Sequence, residues 1–452
     1  MKVQISQRVE RLKAFYTSGV TKPVPFRIEQ LKQLKQNILF FQKEIEEALW
    51  KDLRKSAEEA YMTEISIVLN EIDEHIKHLR RWAKPKRICS PLALFPSSSY
   101  VYTEPLGTAL IIAPWNYPIQ LILSPLVGAI SSGCTAMLKP SPAAAHTANV
   151  VEKIIRKSFA PEYVDIVQGR RDVNTILLEQ RYDIIFFTGS PELGKVVYKA
   201  AAEHLTPVIL ELGGKSPCIV DKDANIPIAA RRIAWGKWLN AGQTCIAPDY
   251  LFVHSSVKND LLEAIIKETE SMYGSDLSKS RFFPRIISSS AYTRLVGLMT
   301  GEKIYYGANT NKDDLYISPT ILDNISPDSA IMQEEIFGPL LPVMTFDDME
   351  TVLSYVNNHE KPLAFYYFGK SEKKMLASTT SGGGCINDTI LHIANDKLPF
   401  GGVGNSGMNK YHGKESFLLF SNRRSIVKTP DWIDLPLKYP PFKYFKLIKH
   451  IL

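Results

Sequence analysis

The sequence is poor in cysteine, and what it has is scattered. Cys89, Cys134, Cys218, Cys245 and Cys385 are an odd number, far apart, with no C-x-x-C pair and no histidine at zinc spacing. That pattern argues against a disulfide framework or a structural zinc site and for a reducing compartment. An h-region is also lacking. The opening MKVQISQRVERLKAFYTSG mixes charge with apolar residues, so no secretory signal is expected and the chain reads as cytoplasmic. Long unbroken hydrophobic runs are absent too. The 34 residues Pro105–Leu138 carry no charge, but Pro114, Asn116, Pro118, Gln120 and Pro125 interrupt them. Proline kinks a helix and unsatisfied backbone is costly in lipid, so a buried strand, a tight loop and a buried helix are expected there. Charge of one sign is scarce: 54 basic against 47 acidic residues leave +7 over 452 residues, too dilute for a nucleic-acid binder.

What is present is the composition of an ordinary globular protein, 45% apolar and 22% charged, long enough for two or three domains. Residues Phe26–Trp50 and Ala57–Trp82 read as long amphipathic helices. Pro85–Thr103 reads as an extended excursion. From Thr108 strand-like runs alternate with helical patterns (Thr108–Ala113, Gln120–Ser131, Thr135–Lys139, His146–Phe159 and onward), which predicts a parallel, doubly wound α/β sheet. A second α/β series runs from Val208 to about Gly404.

Several segments are candidates for chemistry. In Asp183-Ile-Ile-Phe-Phe-Thr-Gly-Ser-Pro-Glu-Leu-Gly194 a strand ends at Gly189 and Pro191 opens a helix whose N–H groups suit a phosphate. The glycine spacing is not G-x-G-x-x-G, and an ordinary βα turn explains it equally. Gly242-Gln-Thr-Cys245 offers a thiol, which needs a base and an oxyanion donor to be more than a small core residue. Glu211, inside the apolar run Val208–Leu212, is placed for desolvation and hence for a base, or else it pairs with a lysine. Asn116, between Pro114 and Pro118, offers an amide on a rigid loop, or simple turn chemistry. Leu138-Lys-Pro-Ser141, Glu334-Glu-Ile-Phe-Gly-Pro339 and Leu398-Pro-Phe-Gly-Gly-Val-Gly-Asn-Ser-Gly407 are each ambiguous alone.

Taken in order, P-W-N, K-P-S, F-T-G-S…G, E-L-G-G-K, G-Q-x-C, E-x-F-G-P and P-F-G-G make the sequence resemble the aldehyde dehydrogenase superfamily over nearly its whole length. The 34 positions from Glu211 to Cys245 match as well. The short N-terminus, G-Q-T-C-I-A-P-D-Y, S-G-M-x-x-Y-H-G and K-Y-P-P-F are similar to class 3, the branch that includes fatty-aldehyde dehydrogenases.

The resemblance implies an aldehyde dehydrogenase fold. It comprises a Rossmann-like doubly wound NAD(P)-binding domain (1–84 and 103–208) and an α/β catalytic domain (209–405). A small β bridging or oligomerisation element (85–102 and 406–430) and a basic apolar tail (431–452) complete it. It implies oxidation of an apolar aldehyde (fatty, aromatic or carotenoid-derived) to the acid. Cys245 would be the nucleophile, Asn116 with the Cys245 N–H the oxyanion donors, and Glu211 the base that hydrolyses the thioester. For the cofactor, NAD or NADP, it implies Lys139 at the adenine ribose and Gly189, Ser190 and Gly194 at the pyrophosphate. Glu335, Phe337 and Trp115 would surround the nicotinamide. Tyr117 would line the substrate pocket, and no metal is implied.

Pro142 stands where class 3 enzymes often carry a carboxylate, which removes a repulsion against a 2′-phosphate and predicts that NADP⁺ is accepted. Asn409, where glycine is common, is expected to lie far from the chemistry. A CoA-dependent or phosphate-linked reductase and a non-catalytic homologue remain alternatives, opposed by the intact Glu211, Cys245, Asn116 and Lys139. A cysteine hydrolase lacks a histidine in a hydrolase-like motif. A homodimer is implied. Finally, six basic residues and no acid lie between His75 and Thr103, and four lysines and no acid between Leu435 and Leu452. The excess charge thus sits in the excursion and the tail, where it suits either dimer packing or a peripheral contact with the inner face of a membrane.

Overall fold

The computed structural model describes residues 1–449; the last three residues of the basic tail lie outside the described residues. Among the described residues, eighteen strands form four sheets. The first, in the order β17-β7-β6-β3-β4-β5, contains β3 (Thr108–Ile112), β4 (Thr135–Lys139), β5 (Val164–Ile166), β6 (Ile184–Gly189), β7 (Val208–Leu212) and β17 (Gly407–Met408). All pair in parallel except β17, which runs antiparallel to β7 at the edge. The second sheet, in the order β10-β13-β14-β9-β8-β15-β16, contains β8 (Pro217–Val220), β9 (Tyr250–His254), β10 (Lys303–Tyr306), β13 (Thr320–Asp323), β14 (Leu340–Phe346), β15 (Ala364–Phe368) and β16 (Gly383–Ile386). A small sheet joins β1 (Lys86–Ile88), β2 (Ser98–Pro105) and β18 (Ser421–Lys428), and β11 (Thr310–Asn311) pairs with β12 (Tyr316–Ile317).

The charge-free run Pro105–Leu138 resolves as expected into β3, a tight loop, the buried helix Gln120–Ser132 and most of β4. Among the described residues no helix is long and apolar enough to cross a membrane. The strands of the first sheet are apolar at successive positions because both faces are covered. Ile111, Leu138, Phe186 and Ile209 enter one core, and the alternate residues Leu110, Met137, Phe187 and Leu210 enter the other. The two-residue period puts Glu211 on the Ile209 side, in the interior.

The structure differs from the sequence reading at three points. The helix expected over Phe26–Trp50 is two, α2 (Val24–Phe40) and α3 (Gln42–Leu53), following α1 (Lys2–Thr17). The helix expected over Ala57–Trp82 begins as α4 (Ala57–Ala60), widens into a π-helical turn at Tyr61–Ile65 and continues as α5 (Ser66–Trp82). The whole of β7 belongs to the first sheet, because Ile185 pairs with Val208 and Gly189 with Leu212. The crossing to the second sheet therefore comes at the Gly213-Gly214 turn rather than at 208–209. Gly407 and Met408 also join the first sheet, through β17.

Candidate active site

The first sheet reverses its winding about β3, with β4 on one side and β6 on the other. Ligands bind at such a switch point, outside the carboxyl ends of the strands. Lys139, Gly189 and the 114–117 loop all lie there. Lys139 is the last residue of β4; its ammonium is buried and has one protein partner, the Pro140 carbonyl at 2.8 Å. Burial lowers it to about 8, and Asp172 opposes that shift. Gly189 ends β6. Ser190 caps the helix Pro191–Ala202, its Oγ accepting from the Leu193 N–H, and Gly194 packs in the first turns of that helix on Leu212. A cavity of about 720 Å³ adjoins this turn, lined by Ile112, Phe187 and Val197 with Pro142, Arg170 and Arg171. Asn174 also lines it, and its Oδ1 is buried without a partner.

A second cavity, about 430 Å³, runs from Ser190 past Gly213 and Gly214 to Glu335, between the two sheets. The Glu335 carboxylate packs directly on the Gly213 backbone, where an added Cβ would lie 1.9 Å from Oε2 and push the carboxylate aside. Burial, then Asp249, raises this carboxyl to about 8. Phe337 meets Trp115 edge-to-face at 5.4 Å, which joins the two loops expected to hold the nicotinamide. A buried lysine with a spare donor, an orphaned amide oxygen and a helix N-terminus, all on the carboxyl-end side of the first sheet and beside the two cavities, fit a dinucleotide.

Cys245 follows a left-handed kink at Asn240, Ala241 and Gly242, all with φ between 51° and 73°. A Cβ on Gly242 would come within 2.2 Å of the Gly338 carbonyl oxygen, so E-x-F-G-P and G-Q-T-C abut through their glycines. Asn116 reaches the same loop. Its Nδ2 donates to the Gln243 carbonyl at 3.1 Å, and the Tyr117 hydroxyl is 2.6 Å from Thr244 Oγ1. Burial, then the Glu335 and Glu211 carboxyls, push the Cys245 thiol well up, against the backbone N–H groups of Cys245 and Ile246. Glu211 is 3% exposed with neither carboxylate oxygen partnered, and burial pushes it far above the carboxylate range. The structure thus brings Cys245, Asn116, Tyr117, Glu211, Glu335, Trp115 and Phe337 into one centre. Ser190 lines the cavity that reaches Glu335, and Lys139, Gly189 and Gly194 lie on the same carboxyl-end side of the first sheet. Among the described residues no metal-ligating cluster occurs.

Several features of this centre carry no motif. Lys55 and Glu64, both fully buried, form an ion pair at 2.6 Å. Lys55 Nζ also donates to the Asn116 carbonyl at 3.3 Å and lies 4.2 Å over the Tyr117 ring, while Glu64 accepts from the N–H groups of Ile119 and Gln120. Glu59 accepts from Asn240 N–H, and Asn240 Nδ2 donates to the Asn116 carbonyl at 2.8 Å. Glu59 is raised to about 7, chiefly by burial. Tyr411 is buried with an unpartnered hydroxyl, raised by burial and then by Glu211 and Cys245. Gln243 was visible inside G-Q-T-C; its amide ties Asn240, Arg285 and Ile287. Asn409 is not remote, contrary to the sequence reading: at φ 70° it donates to the Val208 carbonyl, on the strand of Glu211.

A doubly wound sheet, cavities beside a helix N-terminus at its switch point and a cysteine loop nearby define a nicotinamide-linked oxidoreductase. The chain belongs to the aldehyde dehydrogenase family, whose model matches residues 4–426, and to its class 3 branch. It is 45% identical to a 4,4'-diaponeurosporen-aldehyde dehydrogenase of Staphylococcus aureus over 98% of both chains. It is 44% identical to a dimeric NADP-preferring aldehyde dehydrogenase of Canis lupus familiaris over 99% of this chain and 100% of that one. A solved structure described as the substrate-bound state of Staphylococcus aureus AldH superposes with a TM-score of 0.97, at 44% identity and 99% coverage of both chains.

Proposed function

We propose that the protein oxidises apolar aldehydes, long-chain and polyene ones included, to carboxylic acids through a thioester on Cys245. The observation that carries this is Glu211: a buried carboxylate with both oxygens free, bearing on the Cys245 thiol. The Cys245 sulfur attacks the aldehyde carbon, and the thiol proton passes to a neighbouring carboxylate. Asn116 Nδ2 and the Cys245 N–H hold the oxygen that becomes negative; such donors act in a water-poor site, where they are strongest. The oxidised nicotinamide, when bound, supplies the hydride acceptor. Glu211 then takes a proton from water as the thioester is hydrolysed and Cys245 is released. Because Glu211 completes the hydrolysis, this reading is preferred to an acylating reductase.

Lys139, Ser190, Glu335 and Phe337 hold the cofactor in this reading. NADP⁺ is accepted along with NAD⁺, since no carboxylate lines the 720 Å³ cavity and Arg170 and Arg171 do. The substrate reading draws further on the diaponeurosporen-aldehyde relative. A kcat/KM series over alkanals of rising length, benzaldehyde and a polyene aldehyde, with each dinucleotide, tests it. Values that do not rise with chain length, or a preference for NAD⁺ above about a hundredfold, would overturn the respective part.

The protein is a homodimer in the same reading, supported by the dimeric relative and by an apolar cavity of about 630 Å³ between Leu92–Ser97 and the tail. Phe95 is 66% exposed and Phe445 61%, and a second copy would cover them. The tail packs on that dimer rather than lying on a membrane. Sedimentation equilibrium checks the first statement, and co-sedimentation with anionic vesicles, full-length against Δ435–452, the second.

A further inference from the structure

Beyond β17 the chain crosses the strand that carries Glu211 and is fastened to it at several points. Gly407 pairs with Glu211 and Met408 with Leu210, and Asn409 Nδ2 donates to the Val208 carbonyl at 2.8 Å. Lys410 then turns inward. Its ammonium makes no carboxylate pair but donates to two carbonyls, that of Gly401 at 2.7 Å and that of Gly382. Gly401 is the spacer between the two groups: a Cβ there would lie 2.8 Å from Glu211 Oε1 and 3.1 Å from Lys410 Cα. We propose that the 407–411 segment is a strap that positions Glu211, and that the Lys410 ammonium, parked on two carbonyls, is the counter-charge of that carboxylate during thioester hydrolysis. Lys410 is a positioning residue; it acts through Glu211.

The charges around the pair are few. Glu211 faces Lys410 and Tyr411 from the strap and Cys245 from its loop, with Glu335 beyond the thiol. Lys410 faces Glu211 and also bears on His392, which burial, then His412 and Lys410, lower to about 4. His392 is therefore neutral at working pH, and the Lys410 charge is directed at Glu211. In the step concerned, the water oxygen bonds to the acyl carbon while its proton passes to Glu211. The carbon–sulfur bond breaks, Cys245 leaves as thiolate, and the thiolate recovers the proton from Glu211. Burial makes the anionic Glu211 costly before this step, and a nearby positive charge offsets part of that cost.

This proposal rests on the hydrolytic reading of Glu211 above, and its test separates the two. The acyl-enzyme is formed with a p-nitrophenyl ester in the absence of dinucleotide, and its hydrolysis is followed from acid to alkaline pH. Lys410→Gln keeps donors for the carbonyls and removes only the charge; Lys410→Met removes both; Lys410→Arg keeps both. In the Gln and Met variants the lower pH limb of hydrolysis should move up by about one pH unit, the scale on which a nearby positive charge shifts a buried carboxyl, with the alkaline plateau retained. The Arg variant should keep the limb of the parent. A limb that stays fixed in both neutral variants, or a loss uniform across pH, gives Lys410 a merely structural role and overturns the proposal. If the parent forms no acyl-enzyme, or Glu211→Gln leaves the limb in place, it is the reading of Cys245 or Glu211 that fails instead.

Discussion

Replacing Lys55 by methionine is the most demanding test of how the oxyanion loop is held. Lys55 and Glu64 have no measurable exposure and meet at 2.6 Å. Removing one partner of a buried pair typically costs about 3–5 kcal/mol, because the remaining charge stays in a poor solvent. Here Glu64 keeps the N–H groups of Ile119 at 2.8 Å and Gln120 at 3.4 Å, so the lower end, about 3 kcal/mol, applies. Lys55→Met also removes the ammonium from the Asn116 carbonyl and from the Tyr117 ring. A two-state unfolding energy is ill-defined for a chain of several domains, so the loss is best read locally. Hydrogen exchange of the amides between Ala113 and Gln120 should accelerate about a hundredfold, since 1.4 kcal/mol is a factor of ten. The double variant Lys55→Met/Glu64→Gln should recover most of the protection, because an amide at 64 still accepts both N–H groups without stranding a charge. Exchange within about fivefold of the parent, against the hundredfold expected, or a double variant no better than the single, would refute the argument.

Four further outcomes are expected. Asn116→Ala should lower the acylation rate about 10²–10³-fold in stopped-flow, with dinucleotide affinity unchanged. Gly242→Ala should yield inactive or poorly folded protein, because a Cβ meets the Gly338 carbonyl at 2.2 Å and φ is 73°; circular dichroism and activity report it. Dinucleotide affinity, measured by calorimetry, should weaken as pH rises through about 8, because Lys139, lowered by burial, loses its proton there and with it the charge that holds the cofactor. Replacing Arg170 and Arg171 by Gln should weaken NADP⁺ binding and leave NAD⁺ binding near the parent value; equal weakening of both would show a structural role.

Much of the fold was legible because its signals are local. The alternation of buried strands and amphipathic helices from Thr108 to Ala202 follows from residue periodicity, and the observed elements lie within a few residues of that reading. The long N-terminal helices were misjudged for an equally physical reason. Apolar spacing continues through Phe41 and through Tyr61–Ile65, and period alone does not register a turn that reorients the stripe or a π-helical widening that keeps it. The β7 boundary was missed because membership of a sheet is a pairing, and pairing partners are not visible in one strand.

The centre shows the same division. Each motif residue was found through its own neighbours: Gly242 before Cys245, Gly213 after Glu211, Pro114 and Pro118 around Asn116. What holds those motifs in place comes from elsewhere. Lys55 lies in the short link before α4, and Glu59 and Glu64 in the charged helix that follows, where a solvated face is the ordinary reading of such residues. Their burial follows only once the 113–120 loop and the Asn240 kink close over them. Asn409 makes the point most sharply. It was expected to lie far from the chemistry, yet the antiparallel register of two residue pairs, Gly407 with Glu211 and Met408 with Leu210, fixes it beside the same strand. At φ 70° a glycine is the easy choice, and asparagine is among the side chains that tolerate that conformation while still offering an amide to the Val208 carbonyl. The departure from glycine is thus a fastening of the strap that carries Lys410 to the base.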